Sequence, residues 1–246
     1  MGKNKLKKFD EMDRMDIVFQ YPWAELQQAG FPLRGRWHEA FFKNENPIVL
    51  ELGCGKGEYT VGLADADPQR NYIGIDIKGA RMWTGARRAT DTGMSNVAFV
   101  RTDIELLHYF FAPGEVDEIW ITFPDPQMKK VRKRLTSTRF LDLYRKVLRD
   151  GGHINLKTDS PFLYTYTSIL CRENGIIPDA DTDNLYASEL VDDILSIRTY
   201  YEQQWLDRGL TIKYLRFPLE HGTALREPEV EIEHDTYRSF SRGELQ

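Results

Sequence analysis

"VLELGCGKGEY", residues 49–59, carries an apolar run straight into three glycines and out into a helical pattern. The segment "PIVLEL" (47–52) is short, apolar and bounded by glycine, as a buried strand is. "EYTVGLADAD" after it has helical spacing, so Gly53, Gly55 and Gly57 occupy a strand-to-helix turn. Glycine permits a sharp turn and lets a ligand lie on the backbone with no Cβ in the way. The dinucleotide fingerprint G-x-G-x-x-G would require glycine at 58, where Glu58 stands. The spacing is E-x-G-x-G-x-G instead, with Glu51 at its head.

Outward from this turn, strand patterns recur at 71–77, 96–103, 117–123 and 153–158, and a late alternating run at 211–219. Helical patterns lie between them at 79–93, 137–152 (with a Gly-Gly stop), 160–175 (opening on Ser-Pro) and 196–209. Strands separated by helices predict an α/β fold, a mostly parallel Rossmann-like sheet with helices on both faces. The expected organisation is a leading arm over 1–46, one domain over 47–219 and an extension over 220–246. "EPEVEIEHD" (227–235) alternates acid with apolar and is read as a mobile tail, with an edge strand as the alternative. The lysines at 3, 5, 7 and 8 suggest a mobile arm or a solubilising tail.

Composition narrows the class. The chain has 246 residues, 41% hydrophobic, enough for a full core. No apolar run approaches membrane-span length, and lysines at the start are followed by no apolar stretch. Two cysteines form no CxxC pair and five histidines show no ligand spacing, so neither a disulfide framework nor a metal site is expected, and a reducing cytoplasm fits. Net charge is −5, yet residues 126–149 hold nine Lys/Arg against Asp142, a local +8. Such a patch reads as a polyanion-docking face or as a solvated helix face.

The acids point to the ligand. Glu51 beside a glycine turn suits a cation, and S-adenosylmethionine carries a sulfonium and an α-ammonium. Asp76, ending the second strand, is placed to accept both ribose hydroxyls of an adenosine, unless it merely caps the next helix. Asp103 follows the third strand, where it or its backbone neighbours would meet the adenine amino group, unless it is only a cap. All lie at the carboxyl edge of the sheet, where open α/β folds bind ligands. "FPDP" (123–126) closes the fourth strand at the same edge, its prolines holding Asp125 toward the reactive end of the cofactor. Beyond it, "KKVRKR" (129–134) would grip phosphates. Two readings compete with a nucleic-acid methyltransferase: a methyltransferase for proteins or small molecules, and a non-catalytic RNA-binding module.

With "ELGCGKG", "GIDIKGAR", "TDIELL", "FPDP", "KKVRKRL", "LKTD" and "RTYYEQQWLDRG", the chain resembles the bacterial tRNA (guanine-N7)-methyltransferases from about Ile48 to Phe217. The resemblance implies a class I S-adenosylmethionine-dependent fold and methylation of guanine 46 in the tRNA variable loop. It implies that Glu51, Gly53, Gly55, Asp76, Asp103 and Asp125 contact the cofactor and that Asp125 is catalytic. Lys129, Asp159 and the "TYYE" run from Thr199 to Glu202 match substrate-contacting positions. Lys130, Arg132, Lys133 and Arg134 fall in or beside the RNA-contacting stretch. From the residues themselves, Asp159 could instead cap the next helix, and Thr199 and Glu202 could be ordinary exposed helix residues.

Overall fold

The computed structural model describes residues 2–237, with side chains from Leu6 onward; the side chains of Lys3 and Lys5 and the end of the expected extension lie outside the described residues. The elements run α1 Gly2–Met12, β1 Val18–Gln20, α2 Trp23–Ala29, β2 Ile48–Leu52, α3 Glu58–Ala66, β3 Asn71–Asp76, α4 Gly79–Asp91, β4 Val97–Arg101 and α5 Leu107–Phe110. They continue β5 Val116–Thr122, α6 Thr138–Tyr144, β6 Leu148–Thr158, α7 Pro161–Glu173, β7 Ala180–Thr182, α8 Tyr200–Asp207 and β8 Lys213–Leu219. One eight-stranded sheet has the order β1-β4-β3-β2-β5-β6-β8-β7. All pairings are parallel except those of β8, which is antiparallel to β6 and β7. The order reverses between β2 and β5, so the crevice for a ligand opens at their carboxyl ends.

Strand residues alternate between two cores. Leu50, Ile73, Ile75, Ile119, Ile121 and Leu156 face α5, α6 and α7 through Leu107, Leu141 and Leu163. Val49, Tyr72, Phe99 and Trp120 face α1, α3 and α4 through Met12, Leu63 and Met82. Burying both faces is what makes a parallel strand read as a continuous apolar run.

Four expectations are corrected. The helix expected over 137–152 stops at Tyr144, and Gly151 and Gly152 lie inside β6. There Val116 pairs with Leu148 but Glu118 pairs with His153, so β6 bulges, and Gly151 takes φ +65°. The helix expected from 196 starts at Tyr200, because the carbonyls of Leu195 and Ile197 accept from Lys157 Nζ at 2.9 Å each. The segment 227–235 is not an edge strand: it has no strand pairing and, as a tail, folds back on the domain with Asp235 buried. The lysine-bearing start is helical, packed on α4 through the Trp83 indole N–H to Glu11 (2.7 Å) and Lys8 over the Trp83 ring (4.4 Å). Among the described residues no helix is long and apolar enough to cross a membrane.

Candidate active site

The glycine turn is set by backbone geometry. Gly53, Gly55 and Gly57 have φ of +76°, +54° and +69°, a region that side chains with a Cβ rarely adopt. A Cβ on Gly53 would meet nothing within 4 Å, because the space beside it is cavity. A Cβ on Gly85 of α4 would stand 2.8 Å from the Gly57 Cα, so that glycine brings α4 onto the turn. The Gly85 N–H donates to the Lys56 carbonyl (2.8 Å). Asp76 locks the same turn: one carboxylate oxygen accepts from the Gly55 N–H (2.9 Å), the other from the Lys78 N–H (2.7 Å). Lys78, not Asp76, is the cap residue of α4.

Glu51 is 2% exposed. Its carboxylate accepts from the Thr60 N–H (2.8 Å), the Thr60 hydroxyl and the Thr122 hydroxyl (2.6 Å). Burial raises its pKa to about 7; the hydrogen bonds from Thr122 and Thr60 oppose that rise and the charge of Asp76 adds to it. An acid whose pKa is raised on folding stabilises the protein below its ordinary value of 4.5, and that contribution is lost as pH climbs through about 7. Ionisation over the same window places a full negative charge on the cavity floor. We therefore expect calorimetric affinity for a cationic ligand, S-adenosylmethionine, to rise from pH 6 to pH 8, and Glu51→Gln to remove most of that rise. Equal pH dependence in both proteins would show that Glu51 does not set the ligand's electrostatics.

Two cavities meet at this edge. One of about 480 Å³ is lined by Glu51, Gly53, Gly55, Asp76, Asp125, Thr199, Tyr201 and Trp205, among others. The other, about 450 Å³, adds Asp103, Gln127 and Lys133. Gly53, Asp76, Lys78, Arg81, Phe123 and Asp125 line both. Asp103 also caps the short turn Ile104–Leu106, accepting from the Glu105 N–H (3.0 Å). The acids at the ends of β2, β3, β4 and β5 thus share one rim.

The loop after β5 is held harder than its prolines require. Phe123 and Gln127, both non-glycine, have φ of +48° on either side of the turn. Such backbone persists only where surrounding structure imposes it. Asp125, exposed, accepts from the Gln127 N–H (3.0 Å). Arg134 supplies the constraint: its guanidinium donates to the carbonyls of Gln127 (3.2 Å) and Met128 (2.8 Å) and lies over the rings of Phe162 (4.7 Å) and Tyr166 (4.5 Å). At 6% exposure Arg134 is closed off from phosphates, a correction to the expected RNA-contacting set. Lys129, Lys130, Arg132 and Lys133 are exposed and form no ion pair among the described residues. Other cations of the +8 segment are engaged: Arg139 with Glu105 (2.7 Å), Arg145 with Asp142 (2.9 Å) and Arg149 with Asp117 (3.1 Å).

Two expected substrate contacts lie under the surface. Glu202 is fully buried, paired with Lys157 (2.9 Å) and accepting from the Tyr186 hydroxyl (2.6 Å). With Thr199 it forms the capping box of α8, so Thr199 lines the cavity while Glu202 holds the wall behind it. Asp159 is also fully buried, accepting from the Tyr237 hydroxyl (2.6 Å). It does not cap α7; Ser160 does, accepting from the Leu163 N–H (3.0 Å). Lys129 stands outside both cavities. Tyr201, inside the Thr199–Glu202 run, lines the site with Thr199; Lys56, Arg81 and Trp205 line it without having been singled out for it, each an ordinary surface or packing residue until the sheet edge assembles. Among the described residues no group of three or more His, Cys, Asp or Glu is placed to hold a metal ion.

These features fit S-adenosylmethionine. Gly53 and Gly55 leave open space for a ligand against the backbone, a strand-end carboxylate faces that space, and Glu51 and Asp125 line it with Asp76 and Glu58 beside Lys56, Lys78 and Arg81.

Comparison with known proteins agrees. The family model described as "Putative methyltransferase" matches residues 45–215. The tRNA (guanine-N(7)-)-methyltransferase of Porphyromonas gingivalis is 66% identical over 236 residues, covering 94% of this chain and 97% of the relative. That of Bacteroides fragilis is 59% identical over 243 residues, 99% and 96% of the two chains. Among solved structures, the 16S rRNA methyltransferase KamB superposes with a TM-score of 0.56 at 16% identity, over 81% of this chain and 94% of that one, a likeness of fold. The fold is that of the class I S-adenosylmethionine-dependent methyltransferases, S-adenosylmethionine is the cofactor, and the chain belongs to the tRNA (guanine-N(7)-)-methyltransferase family.

Proposed function

We propose that this chain transfers the methyl group of S-adenosylmethionine to N7 of guanine in tRNA, at position 46 of the variable loop. The observation that carries the reading is the placement of Asp125. It lines both cavities, and the exposed Lys129, Lys130, Arg132 and Lys133 follow it directly in the chain. The relatives' shared name supports guanine N7 and tRNA; the assignment to position 46 comes from the motif resemblance.

Bound, the cofactor supplies an electrophilic methyl on a sulfonium. Guanine N7 has an in-plane lone pair and no proton, so this chain's residues need remove none. Their work is alignment and exclusion of water. Gly53 and Gly55 form the bed for the cofactor, and Asp76 and Asp103 take the ribose and adenine ends. Positive charge builds on the purine as the methyl moves, and Asp125 stabilises it by charge or by hydrogen bonds to the guanine N1–H and amine. Thr199 is the candidate for a direct substrate contact from α8, with Glu202 and Lys157 behind it. The cations after Asp125 hold the RNA backbone.

Incubation of the protein with unmodified tRNA and labelled cofactor, followed by nucleoside analysis and mapping, tests every level of this reading. Label in 7-methylguanosine at position 46 is the expected result. Label elsewhere in the tRNA would refute the position, and tRNA left unlabelled while separately added protein or metabolite pools take up label would refute the substrate class. Replacing Lys129, Lys130, Arg132 and Lys133 with glutamine should weaken tRNA binding and flatten its salt dependence, by about 0.7–0.9 in log–log slope for each phosphate no longer neutralised. An unchanged slope would place the RNA on another face.

A further inference from the structure

The chain beyond β8 returns to the active site along α7. β8 runs antiparallel to β6, so Leu219 lies at the edge of the sheet away from the cavities. From there the backbone climbs α7 from its end to its start. Arg226 exchanges hydrogen bonds with Asn174 (2.6 and 2.9 Å). Glu227 accepts from the Tyr166 hydroxyl and from the Thr138 hydroxyl (2.7 Å), where α6 begins. The His234 ring meets Phe162 edge-on at 5.5 Å. Asp235, 7% exposed, accepts from the Ser160 hydroxyl and the Phe162 N–H (3.0 Å), and its own N–H points to the Met128 sulfur (3.1 Å). Tyr237 then packs behind the cavity wall. Its hydroxyl donates to Asp159 (2.6 Å) and its ring stands edge-on to Trp205 at 5.5 Å.

This path touches the chain on either side of "KKVRKR", at Met128 and Thr138, and the helix on which Arg134 stacks. It also covers Asp159. A carboxylate with no exposed surface does not touch an RNA base, yet Asp159 sits one hydrogen bond from Tyr237, which packs on Trp205 in the cavity wall. We propose that Tyr237 is a positioning residue of the reaction: it sets Trp205 in the substrate side of the cavity, and Asp159 acts on the substrate through Tyr237. The strap 226–237, fastened by Glu227 and Asp235, keeps that relay in register with the cationic segment. The inference rests on the tRNA reading above and adds to it residues far along the chain from the motifs.

The test uses the full chain and the variants Tyr237→Phe, Tyr237→Ala, Asp159→Asn and Tyr237→Phe/Asp159→Asn, with kcat and KM for tRNA and calorimetric affinity for S-adenosylmethionine. Tyr237→Ala is expected to lower kcat/KM for tRNA by about ten- to a hundredfold, the scale set by loss of alignment, with cofactor affinity unchanged. Tyr237→Phe keeps the ring and is expected to lose less. The double variant is expected to lose less than the sum of the two single losses, because both changes act on the shared hydrogen bond. Additive losses would mean Asp159 acts independently and would overturn the relay. Faster turnover in Tyr237→Ala would make the strap a plug and overturn it too. Parallel loss of cofactor affinity would reduce Tyr237 to a folding role and likewise overturn it. Wild-type protein that leaves tRNA unmethylated would sink the functional reading and this inference together; active wild type with unaffected variants would sink the inference alone.

Discussion

Asp125→Asn is expected to lower single-turnover methyl transfer to tRNA by about 10²-fold or more, the scale found when one preorganised electrostatic partner of a transition state is removed. Asparagine keeps an oxygen for the Gln127 N–H, and the turn is independently held by Arg134, so the loop survives the change. What is lost is a full negative charge on the wall shared by both cavities. The residual rate should be equally depressed at pH 6.5 and pH 8.5, because N7 offers no proton to a base. A step in the variant's pH profile would assign Asp125 to proton transfer instead. A loss below about threefold would move the developing charge away from Asp125 altogether, since even one modest hydrogen bond is worth about 1 kcal/mol.

The second large effect is on stability. Lys157 is fully buried on β6 and donates to Glu202 (2.9 and 3.1 Å) and to the carbonyls of Leu195 and Ile197. Burial pushes its pKa down, with Glu202 opposing that shift. Lys157→Met strands the Glu202 carboxylate and two carbonyls away from water, which costs about 3–5 kcal/mol for a buried pair broken on one side. For a chain of this size that corresponds to a melting temperature lower by about 10 °C. Lys157→Met/Glu202→Leu should recover part of the loss, since no charge is then left buried. The single variant should also lower kcat/KM for tRNA, because the cap and first turn of α8 carry Thr199 and Tyr201 into the cavity wall. A single variant as stable as wild type would show that the pair is dispensable.

These two residues mark how far sequence reasoning reaches. Asp125 was legible because its neighbours announce it: a strand pattern before, prolines either side, cations after. Glu51, Asp76 and Asp103 were legible for the same reason, each being the acid at a strand end. Lys157 and Glu202 are 45 positions apart, and nothing local distinguishes them from exposed charges. Arg134 is the sharper lesson. Within "KKVRKR" it looks like its neighbours, but a guanidinium offers several donors and a flat face, so here it turns inward to bind two carbonyls and two rings. The glycines at 151 and 152 misled in the opposite direction. Val147 and Leu148 continue a helical spacing, yet β5 claims Leu148 as a strand partner, and glycine at φ +65° serves a bulge as readily as a helix stop.

By itself the sequence determined the parallel sheet, the glycine turn and the row of acids, because each depends on the period of apolar residues and on chemistry within a few positions. Tertiary structure decided which of the charged residues face a ligand and which face one another. It also decided that the chain's last described stretch lies against the site. Those outcomes depend on side chains distant in sequence competing for the same buried hydrogen bonds, and that competition exists only once the elements have packed.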